Sequence, residues 1–151
     1  MIRPVVEVGI LTESEIRFKL NGSFSDPDNN RYTEGYYMAR IKEGAIALET
    51  NSENSLSGTG LFLQPDDGDA GSFTLCDVTI GISFHWQKKE DQVFRGGIKL
   101  SAIADKILVI NILPVEDYLI SVISSEMSAN SSIEMLQAHA VISRSWLLAQ
   151  I

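Results

Sequence analysis

The period of the apolar pattern changes at Pro114, and that change constrains the fold more than any other feature of the chain. Before it, apolar residues recur in short runs separated by turn-forming residues, the pattern of β-strands. After it, Val115, Tyr118, Leu119, Val122 and Ile123 fall at i, i+3, i+4, i+7 and i+8, the stripe of an amphipathic helix. The expected fold class is α+β, with a β-rich N-terminal region of short antiparallel strands and hairpins followed by two helices.

Within the β-rich region, Val5 to Leu11 reads as a buried first strand. Ile16 to Leu20 alternates strictly, as a strand with one face in water does, and stops at the Asn21-Gly22 turn signal. Ser25 to Asn30 reads as a polar loop. Further strands are expected at Tyr36 to Ile41, Ala45 to Glu49, Leu61 to Leu63 and Ser72 to Ile82. Thr50 to Gly60 is rich in Ser, Asn and Gly and reads as loop; Lys88 to Asp91 reads as a charged turn. Gly96-Gly97 suggests a bend, and Ile98 to Leu100 with Ile107 to Leu113 form a hairpin around Ala104 to Lys106.

The first helix is expected at about 115–126. Pro114 suits its first turn, and Glu116 and Asp117 oppose the positive end of its dipole. The second is expected at about 132–151, opened by the capping box Ser131-Ser132-Ile133-Glu134. From Ala138 to Ala149 it is apolar on nearly every side, which predicts burial. Its last residues carry no stop signal, so the natural chain is expected to continue and this sequence to be truncated in the second helix.

With 44% hydrophobic and 21% charged residues among 151, the chain can bury a core. The net charge of −8 argues against nucleic acid as a partner, since phosphate binding needs a basic face. Cys76 is the sole cysteine, so no intrachain disulfide can form, and its apolar neighbours suggest a small buried hydrophobe. No apolar run is long enough for a transmembrane segment, and the N-terminus lacks a signal-peptide core.

Glu126 is the first candidate for chemistry. Seven residues after Leu119, it shares the apolar stripe of the first helix. A carboxyl group there must be paired, protonated or lining a cleft, and desolvation favours the protonated acid. The plain alternative is a helix-end glutamate turned to water. Arg144, among Leu136, Ala140, Leu147 and Leu148, is the second: a guanidinium on an apolar face needs an anionic or carbonyl partner, and Glu126 is a candidate. A structural salt bridge or a snorkelling side chain explains the pattern equally simply. His85 and Trp86 lie beside a charged turn; Trp can stack on a sugar and His can move a proton or bind metal, although a structural role accounts for both. With His85 and His139 the only histidines, no metal-ligand cluster is visible and none is expected; His139 is expected to pack in the second helix. Ser124, Ser125 and Ser128 lack the G-x-S-x-G context of a serine nucleophile, and no nucleotide-binding glycine motif is present.

Residues 111–150 carry a stronger signal. Pro114-Val115-Glu116-Asp117-Tyr118-Leu119, then Ser125-Glu126-Met127, then Glu134 through Arg144 closely resemble the signature of the stage II sporulation protein D/LytB family (SpoIID/LytB), roughly PLEDYL, PSEMP and EALKAQAVAARTY. Departures are Ser124 and Ser128 where the motif has proline, and Gln137 and His139 where it has lysine and glutamine. Residues 84–96 resemble the lead-in strands of Bacteroidetes-type members. The resemblance implies a β-rich region at 1–83 and the first part of a SpoIID/LytB-like domain at 84–151. It implies a lytic transglycosylase that cleaves peptide-stripped MurNAc–GlcNAc strands, with Glu126 as the catalytic acid/base and Arg144 at the site. Ser125, Trp86 and His85 are further candidates for substrate contact. It also implies an extracytoplasmic location (periplasm or cell envelope), peptidoglycan strands as partner and no cofactor. LytB members are described as amidase enhancers, so the second expectation is a non-catalytic wall-binding module or amidase enhancer with a cell-wall amidase as partner.

Overall fold

The computed structural model describes residues 4–50, 54–68, 71–80, 88–126 and 133–150. Among the described residues, twelve strands precede two helices. The strands are β1 (Val5–Glu13), β2 (Glu15–Leu20), β3 (Phe24–Ser25), β4 (Arg31–Tyr32), β5 (Gly35–Lys42), β6 (Ala45–Glu49), β7 (Asn54–Ser57), β8 (Gly60–Pro65), β9 (Ser72–Ile80), β10 (Lys88–Arg95), β11 (Gly97–Ile103) and β12 (Lys106–Pro114). The helices are α1 (Val115–Glu126) and α2 (Ile133–Gln150). The α+β expectation, strands first and two helices after, is what the chain adopts. The capping box at 131–134 lies partly outside the described residues.

Two compact units divide the chain: residues 8–112, and residues 1–7 with 113–151. The first is built from two six-stranded sheets, ordered β1-β12-β11-β8-β3-β4 and β10-β9-β2-β5-β6-β7. Their inward side chains form one core. Phe18 and Leu20 of β2, Phe24 of β3, Phe73 of β9, Ile98 of β11 and Val109 of β12 all lie in it with no exposure. Phe18 stacks on Tyr37 at 5.4 Å and Phe73 on Phe94 at 5.5 Å. Strict alternation in β2, with Ile16, Phe18 and Leu20 buried, follows from the two-residue repeat of a strand that has one face inward.

Turn chemistry sets the hairpins. Glu43 and Gly44, both at positive φ (54° and 80°), link β5 to β6, and Ala104 at φ 55° begins the β11–β12 turn. Asn21-Gly22 does end β2, but the chain there crosses to the other sheet instead of returning as a hairpin. The Asn21 amide fixes this corner by donating to Ser72 Oγ (3.2 Å) and Thr74 Oγ1 (3.0 Å). At the Gly96 bend, buried Asn111 of β12 donates to the carbonyls of Arg95 (2.8 Å) and Gly97 (3.1 Å).

Three expectations are corrected. β1 is not a buried strand: it ends its sheet, and Val6 is its one buried residue. The stretch 50–60 is not all loop, because β7 pairs with β6 there. Lys88 to Asp91 is not a turn but the start of β10, which pairs with β9 through a register shift between Glu90 and Gln92. β7 and β10 also end their sheet.

Candidate functional site

The second unit begins with Val6, Leu113, Val115 and Leu119, all buried. Pro114 closes β12, and α1 starts at the next residue, where the Val115 N–H donates to the Pro4 carbonyl at 3.0 Å. That bond satisfies one of the donors that a helix start leaves open. Glu116 and Asp117 occupy the first turn, where negative charge is favoured.

Helical phase positions Glu126. It is the last residue of α1 and stands seven positions, close to two helical turns, after buried Leu119. Its side chain, with those of Ser124 and Ser125, lies outside the described set, as do His85, Trp86 and Ser128 as whole residues and the side chain of His139.

Arg144 sits on α2 and its Nε donates to Glu116 Oε1 at 2.8 Å; each side chain is 48% exposed. This is a half-exposed ion pair, in keeping with the structural salt bridge that the sequence left open. The described partner of Arg144 is Glu116. The contact joins the first turn of α1 to the C-terminal half of α2. Ten residues at a rise of 1.5 Å place Glu126 about 15 Å further along the helix axis than Glu116. No pattern singled out Glu116 as a partner; the available signal was a first-turn carboxylate opposite a cation on a helix that had to pack nearby.

Part of the apolar surface of α2 stands open. Val141, Ile142 and Trp146 are 66%, 68% and 66% exposed. The residues described here supply no cover for that face.

Elsewhere, Cys76 is half-buried on β9, and burial first, then Asp91 and Asp77, push its thiol above the usual cysteine range. The neutral thiol is a poor nucleophile. No group of three His, Cys, Asp or Glu suited to a metal occurs among the described residues, and no helix is long and apolar enough to cross a membrane.

Neither curated proteins nor solved structures give a match to the chain. Residues 104–150 match the family model SpoIID, Stage II sporulation protein, over a stretch that contains Glu116, Glu126 and Arg144. The C-terminal part of this chain is thus similar to that family, and the likeness suggests a cell-wall-related role.

Proposed function

We propose that the helical unit is part of a peptidoglycan-cleaving lytic transglycosylase in which Glu126 is the single acid/base. One observation carries this reading: the SpoIID match spans a glutamate that ends α1, seven residues after buried Leu119. The end of a helix is where the macrodipole disfavours negative charge, so the position suits a group that must carry a proton before it gives one away.

An ordinary glycosidase uses two carboxyl groups. Here one serves twice. Glu126 gives its proton to the oxygen between MurNAc and GlcNAc as the C1–O bond breaks and positive charge gathers at C1. The MurNAc C6 hydroxyl then attacks C1, and its proton returns to Glu126. The product is a 1,6-anhydro sugar; no water is consumed and the carboxyl group ends as it began. Arg144, tied by Nε to Glu116, holds α2 against α1 and presents a half-exposed guanidinium to substrate carbonyl or carboxylate groups. Peptidoglycan strands are the partner and the cell envelope is the place of action.

Protein incubated with peptide-free glycan strands is expected to release anhydro-terminated fragments detectable by mass spectrometry. Glu126→Gln is expected to lower the rate by roughly 10²–10⁴-fold, the usual contribution of acid–base catalysis. Equal yields from both proteins, or none from wild type, would remove the catalytic reading. Capture of a wall amidase, unaffected by Glu126→Gln, would then support the amidase-enhancer alternative.

A further inference from the structure

Between β2 and β3 the chain crosses from one sheet to the other in three residues, Asn21, Gly22 and Ser23. Asn21-Gly22 is the single Asn-Gly pair of the sequence. In such a pair the glycine has no Cβ to hinder its backbone nitrogen from reaching the asparagine carboxamide. We infer that Asn21 is a deamidation site gated by the fold. It stays intact while this corner is closed and converts to aspartate and isoaspartate once the corner opens, and the isoaspartyl chain does not close again.

Two hydrogen bonds form the gate. Asn21 Nδ2 donates to Ser72 Oγ at 3.2 Å and to Thr74 Oγ1 at 3.0 Å, so the nitrogen that must leave is held on β9. The Asn21 N–H donates to the Ser72 carbonyl at 3.0 Å, which fixes the backbone on the same strand. The chain is anchored on either side, since Leu20 and Phe24 have no exposure. Turning the carboxamide onto the Gly22 nitrogen breaks both side-chain bonds. Gly22 stands at φ 153°, where L side chains are strained, and nothing lies within 4 Å of the place a Cβ would take. Conformation, not crowding, therefore favours glycine here. Asn21 and Gly22 are half-buried, so water and hydroxide reach them.

The chemistry needs only water and base. The Gly22 N–H loses its proton to hydroxide, the nitrogen attacks Asn21 Cγ, and a C–N bond forms. Nδ2 takes up a proton and leaves as ammonia. Water then opens the cyclic succinimide. Cleavage of the bond from the Gly22 nitrogen to Cγ gives aspartate. Cleavage of its bond to the main-chain carbonyl gives isoaspartate, whose backbone runs through Cβ and Cγ and is longer by a carbon. No electrons are transferred. The two products differ in fit. An aspartate keeps the corner, because the Ser72 and Thr74 hydroxyls are donors as well as acceptors and can turn their hydrogens toward a carboxylate. Isoaspartate lengthens a three-residue crossing whose flanks, Leu20 and Phe24, fill the core, so one of them must leave its place.

The test follows Asn21 conversion by peptide mapping with mass spectrometry, at mildly alkaline pH, in the folded protein and in guanidinium chloride above its unfolding transition. The folded chain is expected to convert at least about tenfold more slowly, the factor that two neutral hydrogen bonds supply. Ser72→Ala combined with Thr74→Val, verified as folded by circular dichroism, is expected to convert about tenfold faster than wild type in buffer and at the wild-type rate in denaturant. Isoaspartyl protein, separated after conversion in denaturant, is expected not to regain wild-type stability to urea, whereas Asn21→Asp regains most of it. Equal rates for folded and unfolded wild type overturn the gate, whether or not the double variant folds. A folded double variant that converts as slowly as wild type overturns it too. Isoaspartyl protein that refolds to wild-type stability overturns the one-way step. Each readout is independent of glycan cleavage at Glu126.

Discussion

The two units of the chain bury their apolar residues to different degrees. In residues 8–112, the inward positions of facing sheets meet one another, and Phe18, Phe24 and Phe73 are completely enclosed. In the helical unit, Val115 and Leu119 are enclosed, yet Ile120, Val141, Ile142 and Trp146 stand 64–68% exposed. Apolar residues therefore play different parts in the two units. In the first unit they supply stability; along α2 they leave a large apolar surface uncovered, the kind of surface that marks an interaction face.

The largest expected effect follows directly from that contrast. Phe18→Ala removes a ring with no exposure and its stacking partner's contact, and is expected to cost about 3–5 kcal/mol. Trp146→Ala, an equally drastic change in size, is expected to stay within about 0.5 kcal/mol. Urea unfolding of both variants measures the difference. Similar losses would show that the α2 surface is covered in solution and would erase the comparison.

Asn111→Leu probes the polar side of the same core. The substitution keeps the volume but strips the carbonyls of Arg95 and Gly97 of their donor at the Gly96 bend. Leaving buried acceptors unpaired is expected to cost about 1–3 kcal/mol in the same unfolding assay. A neutral result would mean that water reaches the bend and that the strand-built unit is less closed than its packing implies.

The places where the sequence misleads share one physical cause. The central strand β2 was readable because each inward residue of Ile16, Phe18 and Leu20 is buried. The β5–β6 and β11–β12 hairpins were readable because Gly44 and the Ala104-Asp105 pair mark tight turns. The misread strands β1, β7 and β10 all end a sheet. An edge strand is held by backbone bonds to one neighbour, so serine, asparagine or lysine can occupy it without loss, and its side chains carry little signal. The helical unit divides in the same way. Pattern and resemblance located Glu126 and Arg144 within the chain, because spacing along a helix is a local property. The Arg144–Glu116 pair spans 28 positions and depends on how α2 packs on α1, which no local spacing records.

That pair gives a smaller, sharper test of the helical unit. Both side chains are 48% exposed, so solvent screens their attraction. A double-mutant cycle of Glu116→Gln and Arg144→Gln is expected to return a coupling of about 0.2–1 kcal/mol that shrinks in high salt. Glycan cleavage measured on the same variants separates two roles for Arg144. If Arg144 only holds the helices together, both single variants lose activity alike. If it also touches substrate, Arg144→Gln loses more than Glu116→Gln.

The smallest effect lies on the surface of the strand-built unit, at the Asp26 loop. The Asn30 amide above all, and then the backbone N–H groups of Asn30 and Asp28 and the Tyr32 hydroxyl, favour the Asp26 carboxylate and hold it below the ordinary value of 3.8. A carboxyl group with a depressed folded pKa contributes stability above its unfolded pKa and loses it as pH falls through the folded one. The loop is thus expected to keep its order through pH 4 and to loosen only in more acidic solution. The Asp28 and Asn30 amide resonances, followed from pH 6 to 2, report this directly, with an expected midpoint below 3.8. A midpoint at or above that value would mean that the carboxylate is not held by these four donors.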